Sequence, residues 1–106
     1  MSSSNIIDEL FQIIENRKTA APDQSYVASL FKKGTDKINE KIMEEASEVC
    51  EASQENDKSH LLHEICDLLF HTFVLAGHKG ISYLEIREEL FRRFGTSGHV
   101  EKANRK

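Results

Sequence analysis

Residues 57–77, DKSHLLHEICDLLFHTFVLAG, decide the fold. Wound at roughly 100° per residue, the stretch puts His60, Glu64, Asp67 and His71 within a stripe roughly 60° wide, which His78 extends. Leu61, Leu62, Ile65, Cys66, Leu68, Leu69, Phe70, Phe73, Val74, Leu75 and Ala76 take nearly all the remaining circumference. A surface helix shows the reverse proportion, so this helix is central and its polar stripe lines an internal cleft.

The preceding stretch carries a matching anomaly. Ile38, Ile42, Val49 and Ala52 recur at helical spacing on either side of Glu45, which therefore points where an apolar side chain belongs. The runs Glu44-Glu45-Ala46-Ser47-Glu48 and Glu64-Ile65-Cys66-Asp67 each present two carboxylates at i,i+3, on one side of a helix. Two such helices packed face to face converge Glu45, Glu48, Glu64 and Asp67 on one spot. Like charges so close in a partly dry site repel strongly, and a buried carboxylate must be paired or bind a metal. Hard cations with a preference for oxygen ligands resolve the conflict. Glu40, Glu44, Glu51 and Glu55 fall on the outer side of the same helix, a solvated face with Lys37 and Lys41 as partners.

The chain has 106 residues and a formal net charge of −4, the size of one small domain with a thin core. No apolar run approaches the ~18 residues of a membrane span, and no secretory signal pattern is present. A cytoplasmic protein without membrane attachment is expected. Cys50 and Cys66 lack the spacing of a zinc site or a redox motif and read as reduced packing residues. An acidic balance with scattered Lys and Arg argues against a nucleic-acid partner.

Only helices and turns are legible. Asn5 caps a first helix that ends near Arg17; Pro22 breaks the chain; a short helix runs from about Asp23 to Lys33, with Gly34 closing it. The third spans about Thr35 to Glu55 and the fourth about Asp57 to Gly77. A capping box of Ser82 with Glu85 opens a fifth, which Gly95 ends after Phe94. Residues 1–4 read as a disordered N-terminus, 5–95 as one helical domain and 96–106 as a polar tail. There is no Gly-rich phosphate loop and no recognisable nucleophile–base motif. What remains is metal-assisted hydrolysis of a polyphosphate.

Taken together, Ser25-Tyr26, Leu30, Gly34, the run from Lys41 to Glu48, the run Glu64-Ile65-Cys66-Asp67-Leu68-Leu69-Phe70-His71, and Leu90 with Arg93 resemble the phosphoribosyl-ATP pyrophosphatases. These form a branch of the all-α MazG-like pyrophosphohydrolase superfamily, and the resemblance covers nearly everything from Ile6 onward. Val27 stands where a Thr is common in that family and Phe70 where a Tyr is common. The resemblance implies an all-α bundle of about five helices, completed by dimerisation into a homodimer. It implies Mg²⁺, or Mn²⁺ in its place, held by Glu45, Glu48, Glu64 and Asp67, with Glu44 as an outer or water-activating carboxylate of the same catalytic set. Lys41 is a candidate for phosphate charge, followed by Lys32, Lys33 and Arg93. His71 is expected to hydrogen-bond a carboxylate or the substrate, and Tyr26 either stacks on a base or packs in the core. His60 and His78, at the helix ends, read as structural or solvated. The implied reaction converts phosphoribosyl-ATP to phosphoribosyl-AMP and pyrophosphate, the second step of histidine biosynthesis. Two alternatives stay open: a housecleaning nucleoside triphosphate pyrophosphohydrolase, and a non-catalytic helical dimerisation module that binds a metal structurally.

Overall fold

A computed structural model describes residues 5–95; the expected disordered start and polar tail lie outside the described residues. It contains α1 (Ile6–Asn16), a 3₁₀ turn (Arg17–Thr19), α2 (Tyr26–Lys33), α3 (Thr35–Ala52), α4 (Lys58–His78) and α5 (Tyr83–Phe94). The fold is all-α, as the periodicities require.

Every α-helix but α3, which follows Gly34, begins at a residue whose side chain replaces the missing backbone partner. Asn5 Oδ1 accepts from the Ile7 amide at 2.9 Å, and Asp57 accepts from the His60 amide at 3.1 Å. Ser82 and Glu85 form the reciprocal capping box, at 3.1 and 2.8 Å. Two expected boundaries move. α2 starts at Tyr26 rather than near Asp23, because Ala21–Gln24 closes a turn and Ser25 is the residue whose hydroxyl accepts from the Ala28 amide, at 3.1 Å. α3 stops at Ala52 rather than Glu55: the amides of Gln54 and Glu55 bond back three residues, to Glu51 and Ala52, winding the end into a tight turn. Gly34 joins α2 to α3 at φ +92°, a region that only glycine enters freely.

α3 and α4 pack along their length as a hairpin across the short 53–57 connection, which makes them antiparallel. α2 lies against α3, and α1 against α4. Ile14, Val27, Leu30, Ile38 and Val74 form the core, with Leu10, Phe31, Ile42, Phe70, Phe73 and Leu75 around it. Gly77 lets α1 approach α4, since a Cβ there would meet Ile14 at 3.0 Å. The inward face expected for α3 is present: Ile38 and Ala52 are buried, and Ile42 and Val49 half-buried.

α4 is apolar most of the way round, and a five-helix chain of this length has too few partners to cover it all. Val74, Ala76 and Gly77 are buried, but Leu62, Ile65 and Leu69, along one edge of the helix, are exposed in this chain. Cys50 and Cys66 are free, as expected, yet both are exposed rather than packed. α5 has no buried residue at all. It meets α1 through the tilted Phe11–Tyr83 ring pair, 6.0 Å between centroids, and through the Asn5 amide that donates to the Tyr83 hydroxyl. The radius of gyration of 16.1 Å exceeds the ~13 Å typical of a compact chain of about this length. The excess reflects elongation, 48 Å along one axis against 35 Å across.

Candidate metal centre

The antiparallel α3/α4 hairpin brings the two acidic couplets together. Glu45, Glu48 and Glu64 each place a carboxylate oxygen within 4.8 Å of the others. Glu45 is 7% exposed and Glu64 8%, so both sit at core depth. One oxygen of each, Oε1, is buried and has no hydrogen-bond partner among the described residues. An orphaned buried polar atom costs about 1–3 kcal/mol, and native structures carry few of them. Two in one spot, both on acids, fit a site built for a cation.

Electrostatics say the same. Burial, then the charges of Glu48, Asp67 and Glu64, push the Glu45 carboxyl up to about 7 from an ordinary 4.5. Glu48 is raised as well, first by its hydrogen bond with Glu64, then by desolvation and the Glu64 charge. The cluster is thus short of positive charge, and one cation would relieve several of these penalties together.

Glu48 is the exposed member of the four, and Asp67 is half-buried, with 39% of its side chain exposed. It extends the cluster on the other side of Glu64, where its Oδ2 lies 3.2 Å from His63 Nε2. His63, Glu64 and Asp67 form a second group whose ligand atoms lie within 4.8 Å of one another. Sequence reasoning missed His63, which falls roughly 60° to one side of the Glu64 and Asp67 stripe; its i,i+4 spacing to Asp67 was the available signal. His60 has more than a structural part. Its Nε2 lies 3.2 Å from Glu64 Oε2, and its Nδ1 lies 2.8 Å from Glu55, whose hydrogen bond raises the imidazole's pKa. Glu55, although exposed, therefore touches the edge of the site through His60. His78 stacks on Phe31 instead, at 5.7 Å and 15°.

Tyr26 and His71 are joined. The Tyr26 hydroxyl and His71 Nε2 are 2.8 Å apart, and His71 Nδ1 is 2.8 Å from the backbone carbonyl of Asp67. A carbonyl only accepts, so in the neutral ring Nδ1 carries the proton, Nε2 accepts, and Tyr26 donates. His71 is buried, whereas the Tyr26 ring is 50% exposed and lies nearly parallel to Phe70 at 6.4 Å. Burial raises the Tyr26 pKa, against the neighbouring Lys41 charge. The aromatic ring is thus half on the surface, with its hydroxyl anchored beside the carboxylates.

The remaining candidates are scattered. Lys41 Nζ lies 3.2 Å from Glu44 Oε1, one turn outside the Glu45 cluster; both belong to the rim, and Glu44 is in neither ligand group. Lys32 and Lys33 are exposed at the end of α2. Arg93 is held by Glu89 at 2.7 Å on α5, which packs chiefly against α1. The larger concavities also lie along α5, including a groove of about 610 Å³ lined by Phe11, Gly77, Ile81, Tyr83 and Arg87. The acids that line one of them, Glu85, Glu88 and Glu89, are exposed and in neither group of converging ligand atoms, so the chemistry belongs to the open carboxylate face of the hairpin.

Fold and site together define an all-α protein whose helical hairpin presents carboxylates that can hold metal ions. The family described as "Phosphoribosyl-ATP pyrophosphohydrolase" matches residues 7–94. A protein of Geobacter sulfurreducens named phosphoribosyl-ATP pyrophosphatase is 50% identical over 101 residues, covering 95% of this chain and 94% of its own. Relatives with the same name occur in Hydrogenovibrio crunogenus, 49% identical over 97% of this chain and 95% of theirs, and in Neisseria meningitidis serogroup B, 46% identical over 95% and 94%. The chain belongs to the phosphoribosyl-ATP pyrophosphohydrolase family.

Proposed function

We propose that this chain hydrolyses phosphoribosyl-ATP at the α–β phosphoanhydride, giving phosphoribosyl-AMP and pyrophosphate, the second step of histidine biosynthesis. The substrate assignment rests on relatives of that name that align over nearly the whole chain. The chemistry rests on one observation: the buried, partnerless Oε1 atoms of Glu45 and Glu64 within a carboxylate cluster. Glu45, Glu48, Glu64 and Asp67 would hold Mg²⁺, for which Mn²⁺ can substitute. When bound, such an ion neutralises phosphoryl charge as a Lewis acid and acidifies water.

The protein's own groups do the rest. Lys41, with its ammonium on the rim and tied only to Glu44, is placed to meet phosphate. Glu44 is the carboxylate free of the ligand groups, and so the one able to take a proton from water once Lys41 turns to substrate. The exposed Tyr26 ring, anchored through His71, offers a flat apolar surface against which a base can stack, while Lys32 and Arg93 are more distant candidates for the second ribose phosphate. The working unit in this reading is a homodimer. Leu62, Ile65 and Leu69 on α4 and Leu84, Leu90, Phe91 and Phe94 on α5 are exposed apolar side chains, and apolar groups left uncovered together mark interaction surfaces. Among the described residues no helix is long and apolar enough to cross a membrane; the reading places the reaction in the cytoplasm.

A panel comparing pyrophosphate release from phosphoribosyl-ATP and from common nucleoside triphosphates tests the assignment. A large preference in kcat/KM for phosphoribosyl-ATP is expected. Equal turnover would favour a housecleaning enzyme, and no release from any of them would leave a metal-binding module.

A further inference from the structure

Glu64 belongs to two groups of ligand atoms. On one side stand Glu45 and Glu48, on the other His63 and Asp67, and in each group the atoms lie within 4.8 Å of one another. Octahedral ligands on bonds of about 2.1 Å sit about 3 Å apart when adjacent and about 4.2 Å when opposite. The His63 Nε2–Asp67 Oδ2 distance of 3.2 Å has the adjacent spacing. Glu64 supplies the independent sign of a ligand: the residue is only 8% exposed, and its buried Oε1 is unpartnered while Oε2 faces His60 Nε2 at 3.2 Å.

The two sides differ in chemistry. The Glu45 side offers oxygen alone, the donor set that suits Mg²⁺. The His63 side offers an imidazole nitrogen with two carboxylates, a set that raises affinity for Mn²⁺, Co²⁺ or Zn²⁺ relative to Mg²⁺. The His63 side chain is 70% exposed, so its imidazole is open to an ion from solvent. We infer that His63, with Asp67 and Glu64, forms a second cation position next to the all-carboxylate one, and that its nitrogen makes this position selective for transition-metal ions. The inference rests on the carboxylate cluster being a metal centre, as proposed above, and adds a ligand and a selectivity to it.

Calorimetric titration of the full-length protein with MnCl₂, CoCl₂ and MgCl₂, without substrate, tests this in wild type and His63→Ala. Mn²⁺ and Co²⁺ should each fill two positions per chain in wild type. His63→Ala should weaken one of them at least about tenfold, and should leave the first position and Mg²⁺ affinity within about twofold. Spin-echo spectra of the Mn²⁺-loaded protein should show a coordinated imidazole nitrogen that disappears in His63→Ala. Unchanged Mn²⁺ and Co²⁺ binding in the variant, with Mg²⁺ still bound, would reduce His63 to an ordinary surface partner of Asp67 and overturn the inference alone. Wild type that binds none of the three ions would overturn the metal centre with it. Circular dichroism and metal-free melting of the variant should match wild type, which separates ligand loss from misfolding.

Discussion

The α3/α4 hairpin and α5 invert the usual arrangement in opposite ways. In the hairpin, Glu45 and Glu64 lie at core depth; on α5, Phe91 and Phe94 are 67% and 60% exposed. A buried acid without a partner and an exposed aromatic without cover are both costly, and each implies something the single chain does not supply. For the hairpin the missing element has the chemistry of a cation. For α5 it has the chemistry of another apolar surface, which the proposed homodimer provides. The carboxylates are rigidly mounted on the best-packed part of the molecule, so the site depends on charge; α5 depends on association.

Substitutions should separate these dependences, beginning with the largest effect. Glu45→Gln or Asp67→Asn keeps size and removes a charged ligand, so activity should fall by more than the roughly tenfold to hundredfold loss typical of groups behind the ligands. The metal-free melting temperature should hold or rise, because repulsion is relieved. Glu51→Gln, on the solvated face, should be nearly silent, and Glu55→Gln should have a small effect through His60. Equal losses in all four would break the distinction between inner and outer faces of α3.

On α5, Phe91→Glu should weaken self-association about thirtyfold or more, the usual consequence of losing a central apolar anchor. Light scattering across a dilution series would show the shift from dimer to monomer, with cation binding to the hairpin persisting. A wild-type protein that stays monomeric and fully active at all concentrations would remove the dimer from the account.

A third effect, intermediate in size, concerns pH. Glu45 has a folded pKa of about 7, above its ordinary 4.5. A carboxyl raised in this way binds its proton more tightly in the native state, so its contribution to stability is complete below about pH 4.5 and is lost as pH rises through 7. Metal-free protein should therefore melt progressively lower between about pH 5 and 7.5, and saturating Mg²⁺ should flatten that decline. Thermal melts with and without the ion check both halves. A flat metal-free profile would show that Glu45 is not strained by its neighbours.

The smallest effect is Tyr26→Phe. It removes one donated hydrogen bond to His71, a contact of about 1 kcal/mol, so kcat/KM should drop roughly fivefold while cation affinity is unchanged.

Much of this was legible in the sequence. The narrow polar stripe of residues 57–77, and Glu45 at an apolar register position, sufficed for the hairpin and its inward acids, because helical periodicity reports facing directly. The capping box of Ser82 with Glu85 marked α5 from local chemistry alone. Other features depended on choices that local chemistry leaves open. Asp23 and Ser25 are both good caps, and the turn at residues 21–24 selects Ser25. His63 lies outside the stripe that drew attention to its neighbours, and its value comes from Asp67 being 3.2 Å away. Tyr26 and His71 are far apart in sequence, so their hydrogen bond required the packing of α2 beside the hairpin. Which apolar residues of α4 and α5 remain uncovered is likewise a property of how the helices dispose themselves; periodicity showed only that α4 is apolar most of the way round.

The most direct test of the central claim is pyrophosphate release from phosphoribosyl-ATP, followed while Mg²⁺ is titrated against a fixed excess of EDTA. The carboxylate cluster requires that release be abolished in chelator and return in full as free Mg²⁺ is restored. Undiminished release in EDTA would mean that the buried acids of the hairpin serve something other than a metal-dependent reaction.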